Sequence, residues 1–195
     1  MANLASVLAA VRRLGVEPVV TTEPEVVGRA DRLVLPGVGA FGAAMNVLRD
    51  AGLVEPIVAH VQQRRPLLAV CLGLQLLCEA SEESPGVRGL GVVPGKIEKF
   101  APGVHIPQLG WNTVTPTSGS RLIREGHAYY ANSYRLPAMP EGWEGATTDH
   151  GGAFVAALER GSMLACQFHP ELSGTWGRAL IERWLAVDAK KVEAA

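Results

Sequence analysis

One cysteine in this chain has surroundings suited to nucleophilic chemistry. Cys71 ends the apolar run Leu67-Leu-Ala-Val70 and is followed by Leu72-Gly-Leu-Gln-Leu-Leu77. The run, bounded upstream by Arg64-Arg65-Pro66, reads as a short buried parallel strand, and Gln75-Leu76-Leu77 opens a helix. A cysteine on so tight a strand-to-helix turn stands clear of the sheet. Its sulfur lies near the helix N-terminus, where backbone N–H groups and the positive end of the dipole favour a thiolate. This is the nucleophile elbow with cysteine in place of serine. Such elbows favour glycine two residues before and two after the nucleophile; here those residues are Ala69 and Gly73. A free cysteine is otherwise a small, inert core residue, so the chemistry needs partners elsewhere in the chain.

His169-Pro170-Glu171 supplies them. Met163-Leu-Ala-Cys-Gln-Phe168 alternates as a strand does, which puts Leu164, Cys166 and Phe168 on one face. Pro170 ends the ladder because it has no N–H to donate. His169 and Glu171 therefore sit at a strand end, where an imidazole and a carboxylate two residues apart can meet. A thiol with a pKa of about 8.5 is only slightly ionised at neutral pH, and a histidine base raises that fraction. A carboxylate on the other ring nitrogen fixes the tautomer and stabilises the imidazolium. The remaining histidines do not compete: His60 falls on a polar helix surface, and His105, His127 and His150 in loop-like segments, all four expected in solvent.

Pro36-Gly37-Val38-Gly39 is the third part. A strand that breaks into glycines can expose consecutive N–H groups, and with the N–H of Leu72 they can form an oxyanion hole. One such donor is worth roughly 3–4 kcal/mol in a transition state. Taken alone, the segment reads equally well as a plain strand-to-helix turn.

The elements that must position these residues follow from periodicity. Leu4, Val7, Leu8, Val11 and Leu14 predict a helix stopped by Gly15. Val16–Val20 and Arg32–Leu35 predict strands, the first near an edge because of Pro18. Phe41, Met45 and Leu48 mark one helix, and Ile57 and Val61 another. This order predicts an α/β fold with an open, mostly parallel sheet flanked by helices. Beyond Ala80 the texture changes. Ser84–Gly95 is glycine-rich and loop-like; Lys96–Phe100, Trp111–Val114, Ala128–Tyr134 and Phe154–Leu158 predict short strands. Arg160-Gly161-Ser162 predicts a hairpin turn into Met163–Phe168, so the second half is an antiparallel extension. Trp176, Leu180 and Trp184 step by four and predict a closing amphipathic helix. A strand is expected before the first helix in such a fold, and here the helix begins within a few residues of Met1.

Bulk properties exclude several classes. The 195 residues suit a single domain spanning 1–195. With 48% hydrophobic and 19% charged residues, disorder is excluded. A net charge of −1 without basic blocks argues against nucleic acid or an anionic membrane as partner. No apolar run approaches the roughly 18 residues of a membrane span, and no signal peptide opens the chain. Cys71, Cys78 and Cys166 form neither a disulfide framework nor a zinc site, and fit a reducing cytoplasm.

Together these segments resemble the class I, or triad, glutamine amidotransferases, and within them the glutaminase subunits of imidazole glycerol phosphate synthases. The resemblance covers nearly the whole chain. It rests on Leu35-Pro-Gly-Val-Gly-Ala-Phe-Gly42, Cys71-Leu-Gly-Leu-Gln-Leu-Leu77, the long loop Glu82–Gly91, Ile106-Pro-Gln-Leu-Gly-Trp-Asn112, Asn132-Ser-Tyr134 and Gln167-Phe-His-Pro-Glu171. It implies a flavodoxin-like sheet and hydrolysis of L-glutamine to glutamate and ammonia, with no cofactor and no metal. It also implies a heterodimer with a (β/α)8-barrel cyclase subunit that receives the ammonia and makes imidazole glycerol phosphate in histidine biosynthesis. The roles it implies are Cys71 as nucleophile, His169 as proton shuttle and Glu171 as its orienting acid. The N–H groups of Val38 and Leu72 would bind the oxyanion. Gly39, Gln75, Ser133 and Tyr134 would hold the substrate's amino-acid end, and Asn3, Gln108, Trp111 and Tyr129 would face the cyclase.

The chain also departs from the family pattern. An apolar first strand ending in an Asp-Tyr-Gly-x-Gly-Asn-Leu-like turn is reduced to Ala2-Asn3-Leu4 and Ser6-Val7, as a start codon set too far downstream would produce; a shortened protein is the alternative. Ala69 replaces a glycine, and Leu172 stands where a lysine commonly follows His-Pro-Glu. Rival readings are a glutaminase of pyridoxal phosphate or anthranilate synthase, a cysteine hydrolase resembling DJ-1 proteins, and a non-catalytic binding subunit of the same fold.

Overall fold

The computed structural model describes residues 2–187, the side chains of residues 2 and 3 excepted. Helix α1 (Ala2–Arg12) carries the expected apolar stripe, with Val7, Ala10 and Val11 buried, and the chain leaves it through Gly15 at φ +80°. Residues 16–20, expected as a strand, pair with no strand among the described residues. Val16 N–H returns to the Val11 carbonyl, and Val16, Val19 and Val20 are 41, 80 and 59% exposed. A valine-rich run forms a strand only where a neighbouring edge accepts its hydrogen bonds, and Pro18 withholds one donor. Next comes α2 (Pro24–Arg29), whose six residues are too few to reveal a helical period.

The segments around the predicted elbow form as expected: β1 (Leu33–Leu35), α3 (Phe41–Asp50), α4 (Val54–Gln62), β2 (Leu67–Val70) and α5 (Leu72–Leu77). Then come β3 (Cys78–Ser81), β4 (Val93–Lys99), β5 (Gln108–Pro116), β6 (Gly126–Asn132), β7 (Tyr134–Arg135), β8 (Glu144–Asp149), β9 (Ala153–Arg160) and β10 (Met163–Cys166). A 3-10 turn at Pro170–Leu172 and helix α6 (Gly174–Leu185) close the described chain. Strands β3 and β8 are not visible in the sequence pattern. Cys78–Ser81 continues the apolar run of α5, and Glu144–Asp149 is polar at both ends.

Seven strands make one mixed sheet in the order β1-β2-β10-β9-β8-β5-β6. The pairs β1–β2 and β2–β10 are parallel, and every pair from β10 to β6 is antiparallel. A small second sheet joins β3, β4 and β7. Strands β2 and β10 are covered on both faces, as their unbroken apolar sequences require. Leu67, Ala69, Met163 and Ala165 enter one core with Phe41, Met45 and Leu74. Leu68, Val70, Leu164, Cys166 and Phe168 enter the other with Leu180 and Trp184. Each fully buried leucine contributes about 1.5–3 kcal/mol.

His60 corrects the expectation of a solvated histidine: it is 0% exposed, and its Nε2 bonds the Pro66 carbonyl at 2.9 Å. Burial pushes its pKa below the usual imidazole value. The turn from α4 into β2 folds back over the ring, which a reading of the helix face alone does not reveal.

Candidate active site

Register brings the distant segments together. Val70 pairs with Cys166, so Cys71 and Gln167–His169 leave the sheet side by side from adjacent parallel strands. The Cys71 N–H continues the ladder to the Cys166 carbonyl at 2.7 Å. Cys71 then turns at φ +53°, ψ −109°, and the N–H groups of Leu74 and Gln75 return to its carbonyl. A side chain at such φ stores about 1–3 kcal/mol of strain and persists only where its surroundings fix it.

Two glycines allow that fixing. A Cβ on Gly73 would stand 2.1 Å from the Leu35 carbonyl oxygen, and one on Gly37 would stand 2.5 Å from Gly73 N and 2.6 Å from Leu72 Cβ. The end of β1 and the start of α5 thus lie backbone against backbone. Pro36–Gly39 runs beside Leu72, whose N–H, at the first helical position, has no intrahelical acceptor. Gly39 has φ +107°, a conformation suited to glycine, and Val38 is 52% exposed. The long loop after β3 supports this segment: Glu83 accepts from Phe41 N–H at 2.7 Å and Ser84 Oγ from Gly42 N–H at 2.9 Å. Ala69 lies fully buried in β2, paired with Leu35 on one side and Ala165 on the other.

His169 and Glu171 meet as their spacing predicts. His169 Nδ1 lies 2.8 Å from Glu171 Oε1, and the side chains are only 5% and 1% exposed. The Cys71 sulfur also acts on this ring and favours its protonated form. Burial lowers the imidazole pKa, but the interactions with Cys71 and Glu171 outweigh it, and the balance raises the value from 6.5 to about 10. The turn is pinned from three directions. His169 N–H donates to the Tyr129 carbonyl at 2.8 Å, Ser173 Oγ donates to the His169 carbonyl at 2.6 Å, and Tyr129 N–H donates to Ser173 Oγ at 3.0 Å. Helix α6 packs close because Gly177 has no Cβ, which would fall 2.0 Å from the Pro170 carbonyl oxygen.

The other two cysteines are chemically quiet. Burial pushes the Cys78 thiol up to about 12 and Cys166 well above its ordinary value. Among the described residues no cluster of three or more His, Cys, Asp or Glu could hold a metal ion, and no helix is long and apolar enough to cross a membrane.

The expected substrate residues fall in two places. Gln75, 5% exposed, donates through Nε2 to the Tyr134 carbonyl at 3.2 Å and to Gln167 Oε1 at 3.0 Å. Ser133, between β6 and β7, and Tyr134, in β7, are half-buried, and Gly39 is exposed beyond the end of β1. Sequence reasoning assigned no role to Gln167, which is 0% exposed and donates to Cys71 Sγ at 3.7 Å. One polar residue inside the apolar run Met163–Phe168 was the available signal.

The expected interface residues divide as well. Trp111 and Tyr129 face each other across β5 and β6 with ring centroids 6.2 Å apart, and Trp111 is 58% exposed. Leu109 and Leu172 add exposed apolar surface at 67% and 43%. Gln108 instead points inward, 4% exposed, with neither side-chain amide atom hydrogen-bonded. The side chain of Asn3 lies outside the described residues.

Comparison with known proteins agrees with this architecture. The model of the glutamine amidotransferase class-I family matches residues 2–187. The imidazole glycerol phosphate synthase subunit HisH of Pectobacterium atrosepticum is 43% identical over 189 residues, covering 94% of each chain. The chloroplastic imidazole glycerol phosphate synthase hisHF of Arabidopsis thaliana is 38% identical over 190 residues; the match takes in 94% of this chain but only 32% of that longer protein. A solved structure described as a glutamine amidotransferase superposes with a TM-score of 0.75 at 22% identity, covering 93% of this chain and 91% of the other. The chain belongs to the class-I glutamine amidotransferase family, and within it to the imidazole glycerol phosphate synthase HisH subunits.

Proposed function

We propose that this chain is the glutaminase subunit of an imidazole glycerol phosphate synthase, acting in the cytoplasm. It hydrolyses L-glutamine through a Cys71 thioester and delivers ammonia to a (β/α)8 cyclase. The observation that carries the reaction is the buried His169–Glu171 pair, 2.8 Å apart, whose ring is held towards its charged form by Glu171 and by the Cys71 sulfur. An imidazole with a raised pKa beside a thiol favours the thiolate–imidazolium pair over the neutral one.

In this mechanism the sulfur attacks the side-chain amide carbon of glutamine. The negative charge that develops on the amide oxygen is met by the N–H groups of Val38 and Leu72, held together by the Gly37–Gly73 contact. Collapse breaks the C–N bond, and His169 gives its proton to the departing ammonia. His169 then takes a proton from water, which attacks the thioester and releases glutamate. Glu171 keeps the ring oriented throughout. Gly39, Gln75, Ser133 and Tyr134 bind the amino-acid end of the substrate. The exposed Trp111–Tyr129 pair and the apolar surface of Leu109 and Leu172 dock the cyclase. Tyr129 belongs to that surface and also accepts from His169 N–H, so docking reaches the catalytic turn directly.

The test is glutamate release with and without the cyclase, for the wild type and Cys71→Ala. The proposal expects low activity alone, strong stimulation by the liganded cyclase, and no release by Cys71→Ala in either state. Full release by the variant would overturn it.

A further inference from the structure

We propose that Gln167 is a positioning residue for the nucleophile, the last donor of a hydrogen-bond relay that is anchored by Gln75 on the Tyr134 carbonyl and ends on the Cys71 sulfur. The proposal rests on the reading of Cys71 as nucleophile.

The direction of the relay follows from which groups can only accept. A backbone carbonyl has no proton to give, so the Tyr134 oxygen, 3.2 Å from the Gln75 amide, must face its nitrogen. The second hydrogen of that nitrogen points to Gln167 at 3.0 Å, which must therefore present its oxygen. The opposite end of the Gln167 amide is then its nitrogen, and this lies 3.7 Å from Cys71 Sγ. Flipping either amide would set oxygen against oxygen or nitrogen against nitrogen. Water cannot rescue a flip, because Gln167 is 0% and Gln75 5% exposed. The Gln167 backbone is fixed as well, its N–H bound to the Ala156 carbonyl at 2.8 Å.

The sulfur thus has two neighbours that favour opposite protonation states. The Ala131 carbonyl, 4.0 Å away, can only accept and favours the thiol. The Gln167 N–H can only donate and favours the thiolate. His169 approaches as the proton acceptor. Gln167 therefore holds the sulfur against the ring and biases it towards the charged form before substrate arrives. Two members of the relay, Gln75 and Tyr134, are also the residues proposed to hold the substrate's amino-acid end.

The test is the pH dependence of Cys71 alkylation by iodoacetamide, followed by peptide mass spectrometry on the isolated chain without glutamine. Cys78 and Cys166, both 0% exposed, serve as unreactive internal standards. The variants are Gln167→Met, which keeps the shape without the donor, Gln75→Met, the double variant and His169→Asn. Gln167→Met is expected to lower the rate of Cys71 alkylation about tenfold on the acid limb. Gln75→Met moves it the same way by less, because Gln167 is freed to turn, and the double variant moves it no further than Gln167→Met. An unshifted profile in a Gln167→Met protein of unchanged melting temperature overturns the relay. Should that variant fail to fold, an unshifted Gln75→Met profile overturns it equally. Failure of the underlying reading looks different: the alkylation profile of wild-type Cys71 would be indifferent to His169→Asn.

Discussion

Replacing Gly73 by alanine should part the Cys71 turn from the strand that flanks it. The new Cβ would stand 2.1 Å from the Leu35 carbonyl oxygen, where ordinary contact begins at 3.4 Å. The obstacle is backbone, and it belongs to β1, which β2 holds in register at all three of its residues. Relief therefore requires α5 and Cys71 to move by about 1 Å or more relative to β1. Overpacking of this kind costs about 1–3 kcal/mol. In a chain of this size each kcal/mol is worth roughly 2–4 °C, so melting should fall by about 2–12 °C. The kinetic cost is larger. A displacement of about 1 Å between reacting groups loses on the order of 10²-fold in rate, and an oxyanion donor pulled out of place loses about 10²–10³-fold. The assay is glutamate formation at saturating cyclase, with thermal melting of the same samples. Gly28→Ala in α2 is the matched control: its Cβ meets nothing within 4 Å, so it should stabilise by about 0.5–1 kcal/mol and leave turnover alone. Wild-type turnover and melting for Gly73→Ala would refute the packing argument and, with it, the placement of the Val38 and Leu72 donors.

Two further outcomes follow from the site and its surface. The pKa of His169 is pulled down by burial and lifted further by its interactions with Cys71 and Glu171, to about 10 in the folded chain against 6.5 unperturbed. Because the folded value is the higher one, the stability this group contributes is complete below about pH 6.5 and is lost as pH rises through about 10. Denaturant unfolding of wild type and His169→Asn should therefore show a gap that closes at the alkaline end, and a gap independent of pH would contradict the ion pair. Trp111→Ala removes a ring that is 58% exposed, so its own melting should shift by less than about 2 °C. Its affinity for the cyclase should drop at least about tenfold, and unchanged affinity would move the docking surface elsewhere.

The elements around Cys71 were legible because their patterns are local. Leu67–Val70 is an unbroken apolar run covered on both faces, and Cys71 follows it without a spacer. His169 and Glu171 could be paired because two residues at a strand end have little freedom to separate. Residues 16–20 form no strand for the opposite reason, since a short valine-rich run does not reveal whether a partner strand stands beside it. His60 looked solvated because the sequence does not reveal that the chain after α4 doubles back and sets the Pro66 carbonyl on the ring. Gln167 escaped notice since its importance lies in a contact to a sulfur about a hundred residues away, set by the β2–β10 register. The close approach of Gly37 to Gly73 is likewise invisible until β1 is placed beside β2.

The central claim is that the Cys71 sulfur forms a covalent bond to the glutamyl carbonyl carbon while His169 manages the proton. Acid-quenching the cyclase complex during glutamine turnover and sequencing its peptides by mass spectrometry tests this most directly. A glutamyl adduct confined to the Cys71 peptide, and accumulating when His169→Asn slows its hydrolysis, is the predicted result. An adduct on another residue, or ammonia released at an undiminished rate with Cys71 alkylated, would contradict the account.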